Sequence, residues 1–412
     1  MAQAEIFQHR FNVIDTTLRD GLQSPLWDDN RVFYPSPKDK CSITEALLRY
    51  GVSYLEVFSP IVNQREGDDL DMIIATRDSV AKEMGKPTCV LAHVRCHPSD
   101  VELALRHNIG GLNFYMGTSE ESRNGNHGKN LDEIVKKARP LLEDLKRNHP
   151  NLLLRFSGED AFRTNIDDLF AVYDPLADFV SRFGTPDTVG VANPEQVRER
   201  VYRLRERYPN VDLEGHFHND RGFALINAIS AIQAGMKYIN TSILGIAERS
   251  GITSLTALMF NLFLEDPSLV NGYDYSLSYP LNVLMADILK MQVPTTEPVS
   301  LTNRTHSAGV HTSAIQKNSS TYEAHHLERF GVTQQRLLLN PLSGKHLIQY
   351  YLTHILNYFD ISNEVAEDIT RIFKSRVAEI NQGCPPQQLL EEIAGNFRLP
   401  RVQKQVSHIE NM

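Results

Sequence analysis

Phe11-Asn-Val-Ile-Asp-Thr-Thr-Leu18, followed at once by Arg19-Asp20-Gly21, reads as a short buried strand that ends in a charged turn. A polar stretch through Pro35 and Pro37 leads to a helical pattern over residues 42–50, closed by Gly51, and residues 52–58 are again an apolar strand. This unit of strand, loop, helix and strand recurs. Residues 88–93, 111–116, 152–156, 188–191, 211–216 and 238–244 are short apolar runs separated by helical segments, which with the first two makes eight. Such alternation over about 250 residues predicts a parallel sheet, and eight repeats favour closure into a (β/α)8 TIM barrel over an open doubly wound sheet. No Gly-x-Gly-x-x-Gly follows the first strand and no Walker A sequence occurs, which removes the usual nucleotide-binding reasons for the open sheet.

The 412 residues exceed one typical domain and suit such a barrel with an appendage. We expect the barrel over residues 1–275, and then, where Pro280, Pro294 and Pro298 interrupt the pattern, a linker and a mainly α-helical C-terminal subdomain over 276–412. Helical spacing there covers 347–358, 364–375 and 387–394, and the polar tail from Arg401 reads as frayed. With 23% charged and 41% hydrophobic residues the composition is that of an ordinary globular protein. No run approaches the roughly 18 apolar residues of a membrane span, and residues 1–10 resemble neither a signal peptide nor a transit peptide, so no membrane partner and a cytoplasmic location are expected. Cys41, Cys89, Cys96 and Cys384 lack paired spacing and read as reduced thiols. A net charge of -9 disfavours nucleic acid as a partner, while a local cluster of Arg and His could still hold a small anion.

Chemistry first shows at Gly215-His-Phe-His-Asn-Asp220, where a strand would end with two imidazoles on one face. Two imidazoles can share a divalent ion, but a carboxylate from elsewhere must complete the set. Barrel enzymes place chemistry at the C-terminal ends of their strands, and the polar residues found there are Arg19 and Asp20, Glu56 and Ser59, His93 and Arg95, Glu159, Asp160 and Arg163, Thr188 and Asn193, His216 and His218, and Glu248 and Arg249. Asp20 is the missing carboxylate, because the first and seventh strands of an eight-stranded barrel are separated only by the eighth. Asp20, His216 and His218 would then hold Mg, Mn or Zn with positions left open for a chelating substrate. Taken singly, His-x-His is as well explained by a surface loop and Arg-Asp by a surface ion pair.

The combination of Asp15-Thr-Thr-Leu-Arg-Asp-Gly-Leu-Gln23 with Gly215-His-Phe-His-Asn-Asp220 resembles the metal-dependent Claisen-type barrel enzymes that include isopropylmalate synthase, homocitrate synthase and hydroxymethylglutaryl-CoA lyase. Tyr54-Leu-Glu-Val-Phe-Ser-Pro60, Ala92-His-Val-Arg-Cys-His97, Ser157-Gly-Glu-Asp-Ala-Phe-Arg163, Asp187-Thr-Val-Gly-Val-Ala-Asn-Pro194, Gly245-Ile-Ala-Glu-Arg-Ser-Gly-Ile-Thr253 and Ala308-Gly-Val-His-Thr-Ser-Ala-Ile315 look most like homocitrate synthase. The lyases carry a cysteine loop near the eighth strand and lack the Ala-Gly-x-His segment; residues 245–251 here hold no cysteine. Arg19-Asp-Gly-Leu-Gln23 departs from the Arg-Glu-Gly-Glu-Gln usual in homocitrate synthases, and Ile246 stands where isopropylmalate synthases place an Asn.

The resemblance implies a synthase that joins the methyl carbon of acetyl-CoA, as co-substrate, to a 2-oxo acid, foremost 2-oxoglutarate to give homocitrate in lysine biosynthesis, and then hydrolyses the thioester. It implies further that Arg19 serves the developing oxygen charge or a substrate carboxylate, that Gln23, His93, Arg163 and Thr188 would bind the substrate, that His311 with Glu159 would form the base dyad, and that Tyr322 would assist hydrolysis. The excess of cationic groups in His93, Arg95 and Arg163, beside Thr188, argues for a dicarboxylic acceptor, while Leu22 and Phe58 offer apolar surface. The family also implies a homodimer whose C-terminal subdomain contributes to the partner's active site. Carried beside this are 2-isopropylmalate, citramalate or citrate synthesis, lyase-like cleavage, and a non-catalytic sensor of a 2-oxo acid or lysine, which would have no use for a base.

Overall fold

The computed structural model describes residues 11–25, 34–379 and 385–401; Cys384 and the tail beyond Arg401 lie outside the described residues. Eight parallel strands, β1 (Asn12–Asp15), β2 (Tyr54–Phe58), β3 (Cys89–Arg95), β4 (Gly111–Gly117), β5 (Leu153–Glu159), β6 (Arg182–Asp187), β7 (Asp212–Phe217) and β8 (Tyr238–Thr241), close into a barrel in sequence order. Closure is made by β1, which pairs with β2 (Ile14 opposite Tyr54) and with β8 (Asn12 opposite Tyr238). Helices cover the outside, so the strands are buried on both faces and their outward residues, such as Val13, Leu55, Val90, Leu112 and Phe156, join one continuous apolar core with the helices.

Two local features differ from the sequence reading. The helix read over 42–50 spans Pro37–Tyr50: Ser36 accepts the Asp39 N–H while the Asp39 carboxylate accepts the Ser36 N–H, and Pro37 occupies the first turn, where its missing N–H costs nothing. At the other end Gly51 has φ 110, and a Cβ there would stand 2.5 Å from the Gly272 carbonyl oxygen. The sixth strand is Arg182–Asp187, and the apolar run 188–191 read as that strand is the turn that leaves it. The Asp187 carboxylate accepts the N–H groups of Val191 and Ala192 and folds the run into a loop. Gly184, Pro186 and a buried Arg182 disguise the true strand, and Pro186 is tolerated because β5 pairs with β6 only as far as Gly184.

The chain divides into two compact units, residues 1–299 and 300–412. The sequence reading sets its boundary at 275/276; the first unit continues through the helix Ser278–Ile288, anchored by a 3.0 Å hydrogen bond between the Tyr50 and Ser278 hydroxyls. The second unit is mainly helical, with Gly309–Lys317, Lys345–Tyr350 running into a π-turn over Tyr351–Ile355, Asn363–Glu379 and Pro386–Gly395, beside a two-stranded sheet of β9 (Thr305–His306) and β10 (Arg336–Leu337). Its own apolar core is built from Leu347, Ile348, Leu352, Ile369, Phe373, Leu389 and Ile393. Among the described residues no helix is long and apolar enough to cross a membrane.

Candidate active site

Alternation along β7 turns Glu214 and His216 inward, and His218 follows one residue beyond the strand's end. The turn after β1 folds back on the Thr16 carbonyl, which accepts the N–H groups of Arg19, Asp20 and Gly21, and so delivers Asp20 to the same place. His216 Nε2 lies 3.1 Å from Asp20 Oδ2 and 3.1 Å from His218 Nε2, and His218 Nε2 lies 3.8 Å from Asp20 Oδ2. All three residues are buried. Burial pushes the Asp20 carboxyl up, but Arg19 and then His216 and His218 hold it far below the usual carboxylate range. Burial and the neighbouring His216 push the His218 imidazole down to about 3. An anionic oxygen and imidazole nitrogens converging in a buried site are the donor set of a divalent cation, and His218 Nδ1, buried without a partner among the described residues, gives that ring no competing attachment. These residues fit Mg, Mn or Zn.

Below this cluster the barrel lumen is filled by charge. Glu56 on β2 faces Arg155 on β5 at 3.8 Å, and Arg155 pairs with Glu214 on β7 through a close ion pair. Those strands are not neighbours, so the contacts cross the lumen. Arg19 Nε donates to Glu56 Oε1 at 2.9 Å and Arg19 Nη1 to Asp20 Oδ2 at 3.0 Å. Asn113 donates to Glu56, and Arg182 lies 3.6 Å from Glu214 with its guanidinium over the Tyr238 ring. Although burial raises the Glu56 carboxyl, Arg19 and Arg155 hold it well below its ordinary value. His93 Nδ1 stands 3.0 Å from Glu56 Oε1 without the alignment of a hydrogen bond. Burial and Arg19 push His93 down to about 4, so it is a neutral ring, stacked 4.3 Å from Tyr115.

A cavity of about 330 Å³ opens at the C-terminal ends of the strands and is lined by Arg19, Asp20, Gln23, His93, Glu159, Thr188, His216 and His218 from the sequence-derived set. Arg163 is not among its walls: it is paired with Asp160 on its own loop, with Nη2–Oδ2 at 2.6 Å. Arg95 likewise points away and is held by both oxygens of Asp100 at 2.8 and 2.9 Å. Thr188 Oγ1 accepts the Asp160 N–H at 2.9 Å. The Glu159 carboxylate has no cationic partner among the described residues, so it braces neither Arg155 nor Arg163, and burial together with Asp160 raises its affinity for a proton. Leu22 is buried away from the cavity, whereas Phe58 lines it.

Several cavity walls escaped the sequence reading: Tyr115, Arg155, Ser157 and Asn240. Arg155 and Ser157 stand four and two residues before Glu159 on β5, so period-two alternation from a suspected catalytic carboxylate was the available signal. Rim loops are strained: Asp160, Leu244 and Arg249 have φ of 64, 57 and 54°. Arg249 is fixed there by both Asp220 oxygens at 2.8 and 3.0 Å and by the Thr188 carbonyl at 2.6 Å. In the second unit, His311 stacks on Tyr322 with ring centroids 3.8 Å apart; both are exposed, as are Val310 (75%) and Leu342 (71%).

Residues 10–276 match the HMGL-like family model, and residues 299–381 match the homocitrate synthase post-HMGL domain-like model. The cytosolic homocitrate synthase isozyme of Saccharomyces cerevisiae is 35% identical over 344 residues, covering 83% of this chain and 76% of that protein. The mitochondrial homocitrate synthase of Yarrowia lipolytica is 36% identical, covering 82% and 73%. A 2-isopropylmalate synthase of Buchnera aphidicola is 29% identical, covering 86% and 68%. Among solved structures the HMG-CoA lyase of Bacillus subtilis superposes with a TM-score of 0.56 at 23% identity, covering 70% of this chain and 97% of that one, a likeness of fold.

Proposed function

Because the chain belongs to the HMGL-like family, we propose that it is an acyltransferase that condenses acetyl-CoA with 2-oxoglutarate and hydrolyses the product thioester to homocitrate and CoA. The observation that carries this reading is the convergence of Asp20, His216 and His218 at one end of a cavity that also holds Arg19 and an unpaired Glu159, in a chain with homocitrate synthases as relatives over most of its length. A divalent ion held by Asp20, His216 and His218 would supply a Lewis acid for the ketone of the 2-oxo acid. Arg19, fixed by Glu56 and Asp20, keeps a positive charge beside the oxygen that gains charge as the new bond forms. A base removes one methyl proton from acetyl-CoA, the methyl carbon bonds to the ketone carbon, and the ketone oxygen takes up a proton. Water then adds to the thioester, the C–S bond breaks and CoA leaves as the thiol.

We assign the base to His311 with Glu159 as its carboxylate, and the hydrolytic assistance to Tyr322. The exposed His311–Tyr322 stack, together with the exposed Val310 and Leu342 of the same unit, supports a homodimer in which the second unit of one copy serves the barrel of the other. Gln23, His93 and Thr188 contact the acceptor from the cavity walls; Arg163 would do so only after releasing Asp160. With some homocitrate synthase relatives cytosolic and others mitochondrial, the cytoplasm is our assignment for this chain, and fractionation tests it.

An apolar acceptor, 2-oxoisovalerate, is the competing reading, carried by Phe58 and Tyr115 in the cavity wall and by the pairing of Arg95 and Arg163 with carboxylates of their own. Release of CoA thiol with acetyl-CoA and a panel of 2-oxo acids decides between them. The expected result is the highest kcat/KM for 2-oxoglutarate; a higher value for 2-oxoisovalerate or pyruvate overturns the acceptor, and no thiol release with any of them overturns the synthase.

A further inference from the structure

We propose that Asn240 on β8 is a positioning residue that holds His216 with its ring proton on Nδ1, so that the Nε2 lone pair is turned toward Asp20 and His218. The inference rests on the metal-centre reading above and adds to it a residue outside the ligand set. Asn240 is fully buried, and its backbone is fixed opposite Ile14 in the β1–β8 pairing that closes the barrel. Its side chain bridges two partners: Nδ2 donates to Glu214 Oε1 at 3.0 Å, and Oδ1 lies 3.1 Å from His216 Nδ1.

The two ends of a carboxamide are chemically opposite, one only a donor and the other only an acceptor. Glu214 Oε1 already accepts from the Arg155 guanidinium, which can only donate, so that oxygen is an acceptor and the Asn240 amide group must face it. That leaves the carbonyl oxygen facing His216, and only an Nδ1–H can donate to it. The orientation is therefore set from two residues away, by the ion pairs of the lumen. Hydrogen bonds and ion pairs then close a ring: Asp20, Arg19, Glu56, Arg155, Glu214, Asn240, His216 and back to Asp20. Asn240 is its one link whose side chain cannot ionise, placed where a proton location has to be specified. His218 receives no such help among the described residues, where its Nδ1 is buried without a partner. An acceptor behind a ligating imidazole fixes the ring and its tautomer, and removing such a partner typically weakens metal binding about 10- to 100-fold.

The test compares full-length wild type with Asn240→Leu, which keeps the volume and loses both polar ends, and Asn240→Asp, which keeps an acceptor toward His216. Zn(II) and Mn(II) affinity is measured by chelator competition without substrates, and thermal unfolding of the metal-free proteins is recorded alongside. We expect affinity to fall about 10- to 100-fold in Asn240→Leu and most of that loss to be recovered in Asn240→Asp. Wild-type affinity in Asn240→Leu, or equal weakness in both variants, overturns the proposal. Should Asn240→Leu fail to fold, long-range ¹⁵N–¹H correlation on histidine-labelled wild type decides: His216 Nδ1 carries a proton in both metal-free and Zn-loaded protein, and an unprotonated Nδ1 refutes the assignment. Wild type that binds neither ion would instead defeat the metal-centre reading while leaving the Nδ1 proton open to the same measurement.

Discussion

The barrel rim and the second unit carry their candidate functional groups in opposite ways. Asp20, His216 and the Glu56–Arg155–Glu214 ladder are buried, and each side chain is held by one or more partners from other strands. His311 and Tyr322 are exposed and stack ring on ring. A buried and paired group has its direction set before a substrate arrives, whereas an exposed one acquires its environment only when another surface covers it. On this view the barrel supplies a preorganised electrostatic site and the second unit supplies groups that become active on assembly.

The strongest attempt to break this contrast removes the buried ligands. A His216→Ala/His218→Ala double variant should bind no divalent ion above background and lose at least about 10³-fold in kcat/KM, the scale on which a charge-stabilising element acts. Metal content equal to wild type, measured after desalting, would dissolve the contrast. For the exposed side, His311→Ala should lower the rate about 10²- to 10⁴-fold, as expected for a general base, while calorimetry shows unchanged binding of the 2-oxo acid. Exchange of the acetyl-CoA methyl with deuterated water at the wild-type rate would take the base role from His311.

Stability offers a second cut. Arg155→Ala leaves Glu56 and Glu214 in the lumen with less compensation and should destabilise the barrel by about 3–5 kcal/mol, against less than about 1 kcal/mol for Arg371→Ala, whose partner Asp368 is a solvent-exposed neighbour on the same helix. Urea unfolding followed by barrel-specific hydrogen exchange distinguishes the two, and equal losses would refute the ladder's importance.

The smallest expected effect is one of pH, and it has opposite signs in the two regions. Burial, opposed by the Thr17 N–H, pushes the Asp15 carboxyl up to about 7. The unfolded chain releases this proton near the ordinary value of 3.8 while the folded one keeps it, so stability falls as pH rises from about 4 to 7. Asp15→Asn removes that loss: its urea midpoint relative to wild type should climb over this interval by at most a few kcal/mol in free energy, at about 1.4 kcal/mol per unit, and stay level above it. In the second unit burial raises the Glu323 carboxyl, but Arg304, Gln335 and His306 outweigh it and hold it below its ordinary value. Its contribution is present above the unfolded carboxylate range and is lost as pH falls through the lower folded value. Amide protection factors around β9 and β10 should therefore fall in acid, and parallel pH trends in both regions would contradict the assignment.

Much of this was legible in the residues. The eightfold recurrence of apolar runs between helical segments, the two alternate histidines of 216 and 218 and the carboxylate of Asp20 at the end of the first strand are local patterns, readable because strand and helix periodicities are properties of the nearby backbone. The sixth strand was misplaced for the same reason: Gly184, Pro186 and Arg182 break the apolar pattern, while the run that kept it is a loop tied to the Asp187 carboxylate. Arg163 and Arg95 count as substrate cations in the sequence because nothing local reveals that Asp160 and Asp100 hold them.

The sequence by itself determined the alternation that makes a parallel barrel and the identity of the donor atoms at its rim. Only the tertiary structure decided which charges meet. Glu56, Arg155 and Glu214 are separated by scores of residues and lie on strands that are not neighbours, so their pairing exists only once closure and register bring those strands around one lumen. The same closure lays Asn240 between Glu214 and His216, and there the hydrogen-bonding chemistry of a carboxamide, which is silent in an unfolded chain, acquires a direction.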